Sequence, residues 1–202
     1  VCSLTAAGVG VDRHEQGLAS QLTRQLHQHT GRTLAWHTLG INGATLAQLT
    51  DFLARADLPD ADVVLLSMGV NDTTRLTPRH RFREQLLELR QLLLTRRPEL
   101  ARTPLQLLKV PPVHRFTALP APLRHLLGWR ARQLDAVYRR LARQQPADFA
   151  YVAYPPMNDP QLLARDGYHP SAAGYRTIAR VLVEQGWGLP MPGDALSADA
   201  AE

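Results

Sequence analysis

The sequence predicts a three-layer α/β/α fold, in which a parallel sheet carries helices on both faces. Short apolar runs alternate along the chain with long amphipathic segments, the order expected when each strand is followed by a helix. The 202 residues, 45% of them hydrophobic, are enough to bury one substantial core, and no internal repeat divides them. We therefore expect one domain over residues 1–189, followed by a small, acidic and disordered tail over 190–202.

Four short apolar runs predict the strands. Continuous apolar runs of this length are typical of strands that are buried on both faces of a parallel sheet. The runs are residues 33–40 (TLAWHTLG), 62–69 (DVVLLSMG), 104–110 (PLQLLKV) and 149–154 (FAYVAY).

Five amphipathic segments predict the helices, because apolar residues recur in each at helical spacing. Gly31 and Gly186 stop the first and last of these helices, and Pro98 and Pro146 limit the third and fourth. The apolar stripes are Leu18, Leu22 and Leu26; Leu46, Leu49 and Leu53; Phe82, Leu86, Leu89 and Leu93; Leu123, Leu127, Leu134 and Leu141; and Tyr175, Ile178 and Leu182.

The charge and cysteine content exclude several classes of protein. The formal charge is +5, but the arginines are dispersed among Glu, Gln and Leu at helical spacing, which is typical of solvated helix faces. Because neither a known motif nor an aromatic stacking platform accompanies them, we expect no nucleic-acid partner. Cys2 is the only cysteine, so an intrachain disulfide framework and a CxxC metal site are excluded. No apolar run reaches the roughly 18 residues of a membrane span.

Polar residues follow several of the predicted strands. Ligands bind at the carboxyl ends of strands in such a sheet. The loops there are residues 40–45 (GINGAT), 68–74 (MGVNDTT) and 165–175 (RDGYHPSAAGY). Each has a local explanation, since glycines supply turns and an Asn-Asp pair caps a helix. Taken with a serine near residue 1, they form the inventory of a serine hydrolase with a three-donor oxyanion hole.

The residues around His169 predict that its imidazole ring is held in a fixed orientation. Pro170 disfavours the helical region for the residue before it and is suited to a first helical position, so His169 should be extended at a loop–helix junction. Asp166, three residues earlier, can accept a hydrogen bond from one ring nitrogen and leave the other free to act as a base. This arrangement predicts a nucleophile nearby.

Four motifs in order resemble the conserved blocks of the SGNH (GDSL-type) hydrolase family, whose name lists serine, glycine, asparagine and histidine. They are residues 1–10 (VCSLTAAGVG), 41–45 (INGAT), 69–72 (GVND) and 166–171 (DGYHPS). The resemblance covers nearly the whole chain. It implies a flavodoxin-like parallel sheet and an SGNH hydrolase domain over residues 1–189.

The resemblance also implies the roles of the site residues. Ser3 would be the nucleophile, His169 its general base and Asp166 the group that orients the imidazole. The oxyanion would receive hydrogen bonds from the backbone N–H groups of Ser3 and Gly43 and from the side-chain amide of Asn71. No metal and no organic cofactor is implied.

The first block departs from the family pattern, because Val1 and Cys2 stand where the family has Gly and Asp. The family's first strand lies before the serine, so we expect that strand to be missing or truncated before Val1. Cys2 is the alternative nucleophile. Neighbouring residues of an extended chain point to opposite faces, so only one of Cys2 and Ser3 can face His169.

Residues 111–128, which follow the third predicted strand, should overhang the site. Four apolar residues in them would form a wall for a short or medium acyl chain, or would only pack the following helix. They are Val113, Phe116, Leu119 and Leu123.

The function that the resemblance implies is hydrolysis of carboxylic esters through an acyl-serine intermediate, with a small-molecule ester as the partner. A thioesterase, a carbohydrate deacetylase or an acyltransferase of the same fold stays open. From a different class, a non-catalytic relative that binds a ligand stays open as well, because of the altered first block. No signal peptide is visible, which makes the cytoplasm the default expectation. The sequence predicts no oligomeric state.

Overall fold

The computed structural model describes residues 2–5, 16–116, 119–153, 159–167 and 169–187, with side chains from residue 16 onward. The five strands are β1 (Cys2–Thr5), β2 (His37–Leu39), β3 (Val64–Ser67), β4 (Leu105–Leu108) and β5 (Phe149–Val152). The six α-helices are α1 (Leu18–Thr30), α2 (Leu46–Arg55), α3 (Val70–Thr74), α4 (Arg79–Arg96), α5 (Leu123–Gln144) and α6 (Ala172–Glu184). The expected disordered tail lies outside the described residues.

The strands form one parallel sheet with the order β2-β1-β3-β4-β5. Helices α2, α4 and α5 contribute to a core on one face, and α1 and α6 to a second core on the other. This confirms the predicted three-layer α/β/α fold. Because every strand is parallel, the loops that follow the strands meet at one edge of the sheet.

The central strand differs from the expectation. We expected the strand that leads into Ser3 to lie before Val1, whereas in the structure Cys2–Thr5 themselves form β1 between β2 and β3. Ser3 is opposite Thr38 on one side and Leu65 on the other. The physical reason is that β2 and β3 both need a pairing partner at the centre of the sheet, and Cys2–Thr5 supply it.

Three of the other predicted strands are confirmed with shorter bounds, and the fourth predicted run, residues 33–40, keeps only His37–Leu39. Strand β2 lies at the sheet edge and pairs with β1 alone, which limits how many of its residues are held in a ladder. All five predicted helices are present. Helix α3 was predicted only as a turn, because five residues are too few to show helical periodicity.

Close packing holds α5 against the single turn of 3-10 helix at Val113–Arg115. A Cβ added at Gly128 would lie 2.5 Å from the Cβ of His114 and 2.9 Å from its backbone nitrogen. Val113 and Phe116 are buried in the core at this contact. The glycine is therefore required by the close approach of two backbones.

We expect Gly128→Ala to lower the free energy of unfolding by about 1 kcal/mol or more, because overpacking typically costs about 1–3 kcal/mol. The gain in helix propensity from Gly to Ala, about 0.8–1 kcal/mol, offsets only part of that cost. Urea denaturation measures the change. Arg143→Ala, at an exposed position of the same helix, serves as the control and should change stability by less than about 0.5 kcal/mol. A more stable Gly128→Ala protein would contradict the packing argument.

Candidate active site

Asp166 and His169 form a hydrogen-bonded pair on the loop before α6. The imidazole Nδ1 lies 2.7 Å from Asp166 Oδ2, and the backbone N–H of His169 donates to Asp166 Oδ1 at 3.0 Å. The two side chains are 38% and 40% exposed. One carboxylate thus holds both the backbone and the ring of the histidine and leaves the ring's Nε2 without a protein partner among the described residues.

Backbone hydrogen bonds fix this loop to its surroundings. The carbonyl of His169 accepts from Ala164 N–H at 2.8 Å, and an antiparallel bridge pairs Leu163 with Pro170. Ser171 then caps α6, with its hydroxyl accepting from Gly174 N–H. The structure places His169 in a bend at the junction between this loop and α6. Pro170 lies in the bridge before the Ser171 cap, and not at the first helical position that its sequence suited.

Tyr175, on the first turn of α6, lies in the electrostatic range of the same carboxylate. Burial, followed by the negative charge of Asp166, raises the pKa of the Tyr175 phenol to about 12. The phenol is therefore neutral at physiological pH. It belongs to the surroundings of the Asp166 and His169 pair, and sequence reasoning had assigned it only to a helix stripe.

Gly43, on the loop before α2, lies close to Asn71, at the start of α3. The Asn71 side-chain amide donates to the carbonyl of Ala44 at 3.0 Å, which leaves one of its two N–H groups for another acceptor. Gly43 has a positive φ of 73° and is exposed, and within the described part of the chain no acceptor takes its N–H. Two hydrogen-bond donors are thus available next to each other at the carboxyl edge of the sheet.

A buried carboxylate, Asp72, joins these two segments. Its Oδ2 accepts from the backbone N–H of Leu46 at 3.0 Å, and its Oδ1 accepts from the hydroxyl of Thr77 at 3.1 Å. The side chain is fully buried. Sequence reasoning had treated the Asn-Asp pair as a turn or a family motif and had missed this role; the signal was the aspartate in GVND at residues 69–72.

The turn from β3 into α3 depends on a glycine. Gly69 has a φ of 113°, and a Cβ there would lie 2.9 Å from a methyl group of Val110. The hydroxyl of the buried Tyr138 donates to the carbonyl of the preceding residue, Met68, at 3.2 Å. These contacts place Asn71 at the start of α3.

The structure describes Ser3 only by its backbone. Thr5, opposite Ser67, ends β1, so Ser3 lies two residues before the carboxyl end of its strand, about 7 Å short of it at the usual strand rise. The structure thus brings Gly43 together with Asn71, and Asp166 together with His169. Ser3 is placed inside the strand, and its hydroxyl lies outside the described atoms.

Two of the four residues proposed as a substrate wall are core residues. Val113 and Phe116 are buried, Leu119 is partly buried against the same core, and Leu123 is exposed. The alternative, that these residues pack the following helix, accounts for Val113 and Phe116. The prediction of an apolar wall therefore depends on Leu119 and Leu123.

A cleft of about 360 Å³ includes Gly43 in its lining. It lies between residues 41–44, one side of α2 and Arg75. Its lining is mixed in polarity, since it contains the aromatic side chain of Phe52 and the charged side chains of Asp51, Arg55 and Arg75. In the described ranges, no group of three His, Cys, Asp or Glu side chains has the arrangement of a metal site. Among the helices that the structure describes, none is long and apolar enough to cross a bilayer.

Asp72 makes stability depend on pH in a direction that can be tested. Burial, the largest effect, raises the pKa of this carboxyl above its usual 3.8, although hydrogen bonds from Leu46 and Thr77 lower it. The folded protein then holds the proton more tightly than the unfolded chain, so the contribution of Asp72 to stability falls as pH rises through the range just above 3.8. We expect Asp72→Asn to remove this contribution, so that the unfolding free energy falls less, or rises more, as the pH rises through the range just above 3.8. Urea titrations at several pH values test this, and an unchanged slope would contradict it.

Comparison with known proteins identifies the family. The model of the GDSL-like lipase/acylhydrolase family matches residues 3–177. A GDSL-like esterase of Mycobacterium tuberculosis (strain ATCC 25618 / H37Rv) is 28% identical over 187 residues, which are 88% of this chain and 57% of that protein. The chain therefore spans less than two thirds of the length of this relative.

Solved structures share the fold. TesA has a TM-score of 0.66 at 21% identity, over 91% of this chain and 95% of its own. The inhibitor-bound aryl esterase of M. smegmatis has a TM-score of 0.61 at 19% identity, over 92% and 97%. The salicylyl-acyltransferase SsfX3, from a tetracycline biosynthetic pathway, has a TM-score of 0.64 at 19% identity, over 94% and 55%. With the family model matching residues 3–177, the chain belongs to the GDSL-like lipase/acylhydrolase family.

Proposed function

We propose that this protein hydrolyses carboxylic esters of short to medium acyl chains through an acyl-serine intermediate on Ser3. The observation that carries the proposal is the 2.7 Å contact between Asp166 and the Nδ1 of His169, on a loop fixed at both ends. A carboxylate at this nitrogen selects the tautomer that leaves the other nitrogen free to accept a proton. The family match and the esterases among its relatives agree with this chemistry.

His169 would act twice in the reaction. Its Nε2 takes the hydroxyl proton of Ser3 while the serine oxygen forms a bond to the ester carbonyl carbon. The same proton then goes to the leaving alcohol oxygen as the ester C–O bond breaks. A water molecule then gives a proton to the imidazole and bonds to the acyl carbon. The bond from that carbon to the Ser3 oxygen breaks, the imidazole returns the proton to this oxygen, and the carboxylic acid leaves. Asp166 stabilises the imidazolium that forms in each half of the reaction.

Three donors would stabilise the oxyanion of the tetrahedral intermediate. Gly43 has an N–H without an acceptor among the described residues, and Asn71 keeps one amide N–H beyond the one that bonds to Ala44. The third donor would be the backbone N–H of Ser3, which lies in β1 between two paired strands and would have to leave that ladder to reach the oxyanion. Removal of one such side-chain donor typically costs about 100- to 1,000-fold in turnover. The proposal requires that Ser3 reach this group of donors at the edge of the sheet.

A non-catalytic binding protein of the same fold is the second candidate. Two observations favour it: Cys2 stands where the family has an aspartate, and Ser3 lies inside β1 rather than at its end. A protein of this kind would keep the fold and the donors but have no reactive serine. Reactivity of the serine therefore separates the two candidates.

We expect an organophosphorus ester to label Ser3, and Ser3→Ala to remove nearly all turnover of p-nitrophenyl esters. Peptide mapping by mass spectrometry identifies the labelled residue. Cys2→Ala is the matched control and should keep most of the activity. Label on Cys2, or turnover that survives in Ser3→Ala and not in Cys2→Ala, would move the nucleophile to the cysteine. A protein without label and without turnover would favour the non-catalytic candidate.

Asp166→Asn tests the orientation of the imidazole. The amide can donate where the carboxylate accepts, which favours the wrong tautomer, and in the serine protease precedent this change cost roughly 10,000-fold in kcat. We expect a large loss in kcat with a small change in KM. Asp159→Asn, at the beginning of the same loop, is the control and should leave kcat within about twofold, since the Asp159 side chain accepts a hydrogen bond from the N–H of Gln161 and Asn keeps that acceptor. An unchanged kcat in Asp166→Asn would show that another group orients His169.

A further inference from the structure

The large exposed apolar side chains of the described residues lie on segments that follow the strands. Among the described residues, five large apolar side chains are between 41% and 56% exposed. They are Ile41, Leu76, Leu123, Leu126 and Trp129. Each lies on a segment that follows the carboxyl end of a strand: after β2, after β3 and its short helix, and at the beginning of the helix after β4. The candidate active site lies at these carboxyl ends as well.

Two of these segments touch. The guanidinium of Arg130 donates to the carbonyl of Thr77 at 2.7 Å, and Arg79 donates to the side chain of Gln133 at 2.8 Å. Leu76 and Trp129 directly precede the two residues of the first bond, and both are exposed. We call residues 75–83 and 123–134 together the rim surface.

The rim surface is strongly cationic. It contains seven arginines and no acidic residue. Helices α4 and α5 as a whole carry eleven arginines against three acidic residues, a formal +8, whereas the complete chain carries +5. The packing of these two helices thus brings some of the arginines that were expected to be dispersed into one surface. Three others are paired with carboxylates: Arg81 with Glu84, the buried Arg90 with Asp148, and Arg139 with Asp135. A groove of about 580 Å³ between the helices continues the cationic surface and is lined by Arg79, Arg83, Arg140 and Arg143.

The exposed apolar side chains and the arginines of the rim surface together favour one kind of partner. A second copy of the chain would bring like charges together, and a nucleic acid would gain little from exposed leucines. A bilayer with anionic headgroups offers negative charge at its surface and apolar acyl chains directly beneath, where tryptophan is favoured. We propose that the rim surface docks this protein onto an anionic lipid surface, with Leu126 and Trp129 inserted among the headgroups. The inference does not rest on the proposed esterase activity.

Sedimentation with vesicles tests the proposal on the complete chain. We expect binding to vesicles of phosphatidylcholine mixed with phosphatidylglycerol, and weaker binding as salt is raised, because screening weakens attraction to a charged surface. Vesicles of phosphatidylcholine alone should bind at least about tenfold less, since several arginines each add to the attraction. Turnover of a soluble p-nitrophenyl ester is followed in parallel.

Two double variants test the two kinds of contact. Leu126→Ser with Trp129→Ser removes apolar area and should weaken vesicle binding at least about tenfold. Arg79→Gln with Arg132→Gln removes two charges and should weaken it about 10- to 30-fold. The charge-matched control is Arg24→Gln with Arg176→Gln, exposed positions on α1 and α6 in the opposite layer, and it should bind like the parent. Soluble turnover should be the same in all of these proteins.

The outcomes separate the alternatives. Binding that is lost in both rim variants and retained in the control supports the docking surface. Failure of the parent protein to bind anionic vesicles overturns it, and so does equal weakening by the control variant. Tight binding of a single-stranded RNA oligonucleotide with no binding to vesicles would replace the lipid surface by a nucleic acid. A parent protein that binds vesicles but lacks soluble turnover supports the docking surface and contradicts only the proposed esterase activity.

Discussion

The buried carboxylate of Asp72 is the interaction on which the candidate site depends. It joins the first turn of α2, through the N–H of Leu46, to the segment after α3, through the hydroxyl of Thr77. Hydrogen bonds to a charged group contribute about 1.5–3 kcal/mol each, and a buried carboxylate that lost them would be costly. Gly43 and Asn71 lie on the two segments that Asp72 joins. The hydrogen bonds of Asp72 therefore help to set the distance between these two donors, although Asp72 is not itself one of the proposed catalytic groups.

Much of the fold follows from local patterns. Each apolar run is several residues long, and each apolar stripe spans several helical turns. Strands β3 to β5 and five helices could therefore be predicted from these patterns. Short elements escape such reasoning: α3 has five residues, and β2 keeps only three of the eight that its apolar run indicated. The place of β1 could not be predicted either. It depends on pairing with β2 and β3, which are distant from β1 in the sequence.

The same division holds for the site. Asp166 and His169 are three residues apart, so their pairing could be predicted from the loop alone. Contacts between distant segments could not be predicted. They include the bond that the N–H of Leu46 donates to Asp72 and the bond that Arg130 donates to Thr77. The arginines show the difference most clearly. The spacing of the arginines along each helix indicates a solvated face on each of the two helices. The two faces form one cationic surface only because α4 packs beside α5.

The two halves of the candidate site are carried by different cores. His169 is anchored to α6, which packs with α1 and Trp187 on one face of the sheet. Asn71 and the segment from Gly43 belong with α2, α3 and α4 on the opposite face. The distance from the imidazole to the two donors proposed for the oxyanion is thus a distance between layers that lie on either side of the sheet. A small slide of one layer would change that distance while the 2.7 Å contact at the histidine and the amide bond at Asn71 both stayed intact.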